Sequence, residues 1–168
     1  MERTPEVVAD IIDNIRRFFQ VVNEYSKRAE RETGLTGSQL WAIKVIAEAT
    51  SIKPSELARR MYLHPATVVG LIDRLEKRAL VSRIRCQKDR RVVEISLTEQ
   101  GRELLSLAPE VPQGLLARGL ESLPGKKLSQ LAEGMEELVK ILGAEKIPPQ
   151  LILSTDVNLP RRTKSTPR

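Results

Sequence analysis

The sequence predicts a mainly α-helical fold carrying one small β-hairpin. Two observations lead there. Apolar residues recur at spacings of three and four through residues 5–78 and again beyond residue 98, the period of an amphipathic helix. Between those stretches, Val81-Ser82-Arg83-Ile84-Arg85-Cys86 and Val92-Val93-Glu94-Ile95-Ser96-Leu97 roughly alternate apolar with polar, the strand period of two.

The elements follow in order. Residues 5–31 form one long helix, because Val7, Val8, Ile11, Ile12, Ile15, Phe18, Phe19 and Val22 make a wide apolar stripe. Gly34 interrupts the chain. Thr36 and Gln39 have capping-box spacing, and the helix they open buries Leu40, Ile43, Val45 and Ile46. Pro54 occupies a first helical position with Glu56 in the first turn, giving a short helix that ends near Met61. Pro65 does the same with His64 as N-cap, and that helix runs to about Arg78 with Val68, Leu71, Ile72 and Leu75 inward. The two strands come next, joined by the basic connector Gln87-Lys88-Asp89-Arg90-Arg91. Thr98 starts a helix to about Leu107 or further, with Pro109 and Pro112 bending or interrupting it before it resumes toward Leu120. Leu123-Pro124-Gly125 reads as a turn. The last helix carries Leu128, Leu131, Met135, Leu138 and Leu142 at coiled-coil-like spacing. From Ala144 the chain has four prolines, no periodicity and a basic end, the composition of a flexible tail.

Composition narrows the function. The chain has 168 residues, one His and one Cys, which excludes a disulfide framework, a zinc finger and a Cys–His nucleophile pair. No apolar run is long enough to span a membrane, and the N-terminus lacks a signal peptide's apolar segment, so a cytoplasmic location is expected. There is no Gly-rich phosphate loop, no G-x-S-x-G and no H-E-x-x-H. An enzyme is therefore not expected, and no cofactor. The net charge is +6, unevenly spread. Residues 74–91 carry eight Lys/Arg against Glu76 and Asp89, whereas residues 98–143 carry five against seven acids. A local basic patch on a balanced chain suits a polyanion, although a solvated face has the same charge pattern.

Two short helices joined by the tight turn Tyr62-Leu63-His64-Pro65, followed by a two-stranded hairpin, describe a winged helix-turn-helix. Residues 35–99 supply it. Residues 5–34 and 100–143 supply a helical region from both chain ends, and 1–143 form a single domain with the tail at 144–168. The chemistry suits duplex DNA. A helix N-terminus at His64 and Pro65 offers free N–H groups to phosphate. Ala66, Thr67, Gly70 and Arg74 occupy the outer side of the second helix, where small residues permit close approach and Thr67 can read a base edge. Lys88, Arg90 and Arg91 at the hairpin tip suit phosphate or a narrow minor groove. Arg74 could instead pair with Asp73 or Glu76. Arg83 and Arg85 give one strand a charged face. Trp41 and Tyr25 either pack in the core or line a ligand pocket.

The sequence resembles the MarR family of transcriptional regulators. The matching text is Leu35-Thr36-x-x-Gln39, Pro54-Ser55-Glu56-Leu57-Ala58, Thr67-Val68-x-x-Leu71-Ile72-Asp73-Arg74-Leu75-Glu76, Asp89-Arg90-Arg91-Val92 and Leu97-Thr98-x-x-Gly101. Order and spacing match over about residues 35–105. The resemblance implies a homodimer whose terminal helices interleave through Ile11, Ile15, Phe18, Leu131, Met135, Leu138 and Leu142. Each subunit would present residues 65–78 to a pseudo-palindromic operator with half-sites ~10 bp apart. Asp89 would orient the wing and Arg91 enter the minor groove, with Arg90 a second contact. Members commonly act as repressors released by a small aromatic or other organic effector, or by cysteine oxidation. Peroxide sensors of the family carry a reactive Cys in the N-terminal helix. This chain has none there, and its Cys86 lies on a wing strand. His64 and Lys53 stand at N-caps where Ser or Thr is usual, which weakens those caps.

The alternative class is a protein-interaction or architectural winged helix with weak or non-specific DNA binding. RNA binding fits less well, since five aromatic residues make no stacking platform.

Overall fold

The computed structural model describes residues 4–85, 92–149 and 151. In chain order they form α1 (Thr4–Thr33), α2 (Gly37–Ala49), β1 (Ser51–Ile52), α3 (Pro54–Arg60), α4 (Pro65–Lys77), β2 (Val81–Arg85), β3 (Val93–Leu97), α5 (Glu99–Ser106), α6 (Pro112–Glu121) and α7 (Gly125–Ile141).

The centre is α2, which is apolar nearly all round and buries Leu40, Trp41, Ala42, Ile43, Val45 and Ile46. Such a helix must be covered on most sides, and beyond its first turn only Lys44 and Glu48 break its apolar surface. Its start is fixed by the expected capping box. Thr36 Oγ1 accepts from the Gln39 N–H at 3.3 Å, and Gln39 Oε1 accepts from the Thr36 N–H at 3.1 Å. Around α2 pack Leu57, Met61, Val68, Leu71, Ile72, Leu75, Leu80 and Ile95, all essentially inaccessible. The four inward residues expected on α4 are all buried.

The hairpin is part of a three-stranded antiparallel sheet with order β1-β3-β2. In β2 and β3, Val81 faces Leu97 and Arg85 faces Val93. The addition is β1, which sets Ser51 opposite Ser96 and Ile52 opposite Ile95. Two residues carry no period, so the sequence could not announce this strand. It covers the second edge of β3.

The Leu-Thr-x-x-Gly text joins the sheet to the next helix. Thr98 Oγ1 accepts from the Gly101 N–H at 3.0 Å and donates to the Ala79 carbonyl at 2.6 Å. A Cβ on Gly101 would lie 2.1 Å from the Leu80 carbonyl oxygen, so only glycine lets α5 approach this backbone. The expected interruption between Leu107 and Pro112 is present, with Pro112 opening α6. Gly125 differs from expectation: Pro124 is the N-cap and Gly125 already helical.

The terminal helices are barely covered. Only Val22, Ser26, Ala29 and Thr33 of α1 are buried, and α7 buries none of its residues. Leu151, by contrast, joins the core. An unpacked segment starting at Ala144 leaves no place for it, so the chain after α7 returns to the body at least at this point.

Candidate nucleic-acid interface

The helix-turn-helix is built by α3 and α4. Lys53 caps α3 with backbone geometry only, as its side chain makes no cap bond. Glu56 compensates in the first turn, where a carboxylate favours the helix dipole. It accepts from Arg59 Nη2 at 2.6 Å and from Arg60 Nε at 2.9 Å. These bonds, Arg59's first, hold its carboxyl at about 2. At α4 the His64 Nδ1 accepts from the Ala66 N–H at 3.3 Å. His64 therefore caps its helix, more weakly than a hydroxyl would.

The outer face of α4 is formed as the spacing predicts. His64, Pro65 and Ala66 are exposed at its N-terminus. Thr67 and Gly70 are half-buried, so Thr67 is less open than an outward position implies. Val69, 39% exposed, also lies on this face. The sequence reading passed over it because apolar residues were assigned inward; the helical period from Ala66 to Gly70 would have placed it outside. Its methyls suit a thymine methyl contact.

Arg74 turns back along its own helix. It donates from Nη1 to the Gly70 carbonyl at 3.3 Å. Asp73 and Glu76 are taken by Arg83 of β2, with Nη2 to Asp73 Oδ1 at 2.6 Å and Nη1 to Glu76. Asp73 in particular raises the Arg83 guanidinium's affinity for its proton. Arg83 thus neutralises two carboxylates of α4 and pins β2 to that helix. It is a brace between wing and recognition helix rather than an open strand cation. Arg85 is exposed. Cys86, Lys88, Asp89, Arg90 and Arg91 lie outside the described residues, in the segment linking β2 to β3.

Of the residues expected to pair two chains, Ile11, Phe18, Leu131, Met135 and Leu142 are exposed and Ile15 and Leu138 half-buried. Phe18 packs edge-on against Phe19 at 5.9 Å. Both terminal helices therefore carry apolar rows that this chain leaves uncovered. Among the described residues, Trp41 and Tyr25 line separate depressions. Tyr25 lines a depression with Glu24 and Arg28 on α1. Trp41 is largely buried and forms one wall of a cleft of about 390 Å³ between α2, α3 and α6, with Lys44, Tyr62, Gly114, Arg118 and Glu121 among its other walls.

With this geometry in place, comparison with known proteins is decisive. The MarR family model matches residues 35–93, the helix-turn-helix through the start of β3. The transcriptional repressor MdtR of Bacillus subtilis is 30% identical over 132 residues, spanning 79% of this chain and 85% of that protein. The chain belongs to the MarR family.

MarR-family proteins are DNA-binding transcriptional regulators and not enzymes. A second B. subtilis relative, the organic hydroperoxide resistance transcriptional regulator, is 31% identical over 108 residues, 64% of this chain and 72% of its own. Among solved structures, the regulator BldR from Sulfolobus solfataricus superposes with a TM-score of 0.52 at 25% identity, covering 84% of this chain and 99% of its own. A MepR-like protein complexed with pseudoligands superposes at 0.51 with 27% identity, covering 84% and 97%. An Escherichia coli MarR variant in complex with operator DNA shares the MarR fold at 0.50 and 21% identity, covering 77% and 96%. No helix among the described residues is long and apolar enough to cross a membrane.

Proposed function

We propose that this MarR-family chain is a homodimeric repressor that binds a pseudo-palindromic operator and is released by a small organic effector. One observation carries the reading: α4 turns Ala66, Val69 and Gly70 outward at the edge of a body whose two terminal helices leave apolar rows uncovered. A folded chain seldom leaves so much contiguous apolar surface in water. A second copy packed along Ile11, Ile15, Phe18, Leu131, Met135, Leu138 and Leu142 would cover it.

The roles follow. The N-terminus of α4 at His64 and Pro65 sits on a phosphate. Ala66, Thr67, Val69 and Gly70 enter the major groove, and Arg74 reaches a base edge or phosphate. Lys88, Arg90 and Arg91 form the wing contact, with Asp89 orienting it. The effector, a small aromatic or other organic molecule, occupies the cleft beside Trp41. MdtR, a relative named as a repressor, supports the sign of regulation, and the operator complex of the E. coli homologue supports the partner.

The test is fluorescence anisotropy with a duplex selected from a random pool. Arg91→Ala should weaken binding by roughly 1–3 kcal/mol with the dimer intact. Equal affinity of the unaltered chain for random and selected duplexes would leave the architectural reading. Trp41 is the chain's one tryptophan, so effectors from a panel of benzoate and phenol derivatives should change its emission and release the duplex over the same concentration range.

A further inference from the structure

We propose that Arg78 is a positioning residue that sets the angle of α4 against the helical scaffold, and with it the half-site spacing the dimer accepts. The inference rests on the dimeric regulator reading above.

Arg78 is the C-cap of α4. By sequence it belongs to the basic stretch of residues 74–91 and should face a polyanion. The structure turns it the other way. Its Nη1 donates to the Gly34 carbonyl at 2.5 Å, and its Nη2 reaches the Thr33 carbonyl at 3.5 Å. The Thr33 carbonyl is the last of α1, and Gly34 is the residue that follows it. The last carbonyls of a helix have no partner within it, and the negative end of the helix dipole favours a cation there. One guanidinium therefore ties the end of the recognition helix to the end of the helix that carries the exposed dimer row.

The seat for this guanidinium is kept open by Gly34. Its φ of +67° is a backbone conformation that L side chains rarely adopt, and a Cβ would lie 3.2 Å from Arg78 Nη2. α4 is also held by Arg83 of β2, which ties it to the sheet through Asp73 and Glu76, and by its apolar face of Val68, Leu71, Ile72 and Leu75. Apolar packing is non-directional, so it resists separation more than rotation. A planar fork on two fixed carbonyls has direction, which an ammonium lacks. The lever is long. Thirteen helical residues span roughly 20 Å, so a tilt of about 5° at Arg78 displaces the N-terminus of α4 by roughly 1.7 Å, a sizeable fraction of the base-pair rise.

The experiment measures binding of the full-length protein to duplexes carrying the selected half-sites at spacings stepped by single base pairs, at several salt concentrations. The unaltered chain should prefer one spacing. In Arg78→Ala the ratio between best and neighbouring spacings should shrink by roughly 2- to 30-fold, with the slope of log affinity against log salt unchanged. Arg78→Lys should fall between, and Gly34→Ala, which crowds the seat, should move the same way as Arg78→Ala. A wild-type spacing ratio in Arg78→Ala overturns the proposal. A salt slope reduced by about one at unchanged ratio also overturns it, because that marks a phosphate contact. Amide hydrogen exchange decides the tether without DNA: in Arg78→Ala the last turn of α4 should exchange several-fold faster relative to β3, and equal protection overturns it. A wild-type chain that selects no duplex would instead sink the regulator reading, and the exchange result would still judge Arg78.

Discussion

The Tyr62 hydroxyl donates to the Glu121 carboxylate, joining the corner between α3 and α4 to α6 across 59 residues of chain. Both side chains also line the cleft beside Trp41. The bond therefore links the DNA-reading unit to the scaffold at the place assigned to the effector. Tyr62→Phe keeps the ring and removes the donor. Operator affinity should fall roughly two- to tenfold with little change in melting temperature. Binding titrations paired with thermal melts check this, and an unchanged affinity would show that the bond carries no coupling. The same bond, to Glu121, raises the Tyr62 pKa. Its contribution is present at neutral pH and is lost as pH rises through the folded-state value. Ultraviolet titration should show Tyr62 ionising at lower pH in Glu121→Gln.

Two neighbouring positions should respond oppositely to small substitutions. Ala79 has φ of +54°, which costs an L residue about 1–2 kcal/mol. Ala79→Gly should stabilise by about 0.5–1 kcal/mol after glycine's entropy is offset, raising the melting temperature by about 1–4 °C. Gly101→Ala should destabilise by about 2–4 kcal/mol, because the new methyl collides with the Leu80 carbonyl. Calorimetry measures both.

Glu56 supplies the pH dependence of α3. Hydrogen bonds from Arg59 and Arg60 lower its carboxyl to about 2 from an ordinary value of 4.5. A depressed carboxylate contributes stability above its unfolded value and loses it as pH falls through the folded one. The contribution should be complete at neutral pH and fade between about 4.5 and 2. A side-chain carbonyl NMR titration should find the low midpoint, and Arg59→Gln should move it upward. A midpoint near 4.5 in the unaltered chain would show that the ion pair does not form in solution.

Leu131 tests the dimer. It is 44% exposed in the single chain, so a charge there should not disturb the subunit's own core. Leu131→Glu should weaken association by roughly 100-fold, about 3 kcal/mol. Sedimentation should then show monomers at micromolar concentration, and an undiminished dimer would place the interface elsewhere.

Much of this fold was legible because local signals and tertiary packing agree. The capping box at Thr36 and Gln39, the prolines opening α3 and α4, and the inward row of α4 were readable from spacing alone. What was not legible depends on distant partners. Arg78 and Arg83 look like two more cations of a basic patch, and nothing nearby tells that one meets the end of α1 and the other bridges two acids of α4. The two-residue β1 has no period to detect. Leu151 is a lone apolar residue whose burial depends on where the chain turns after α7. The exposed rows of α1 and α7 show the converse: periodicity finds an apolar stripe but not what covers it.

The most direct measurement is selection of bound duplexes from a random pool by the full-length protein at physiological ionic strength. The account predicts enrichment of a pseudo-palindrome with half-sites ~10 bp apart, bound by two chains. Recovery of unrelated sequences held with equal affinity, or of a single half-site bound by one chain, would contradict it.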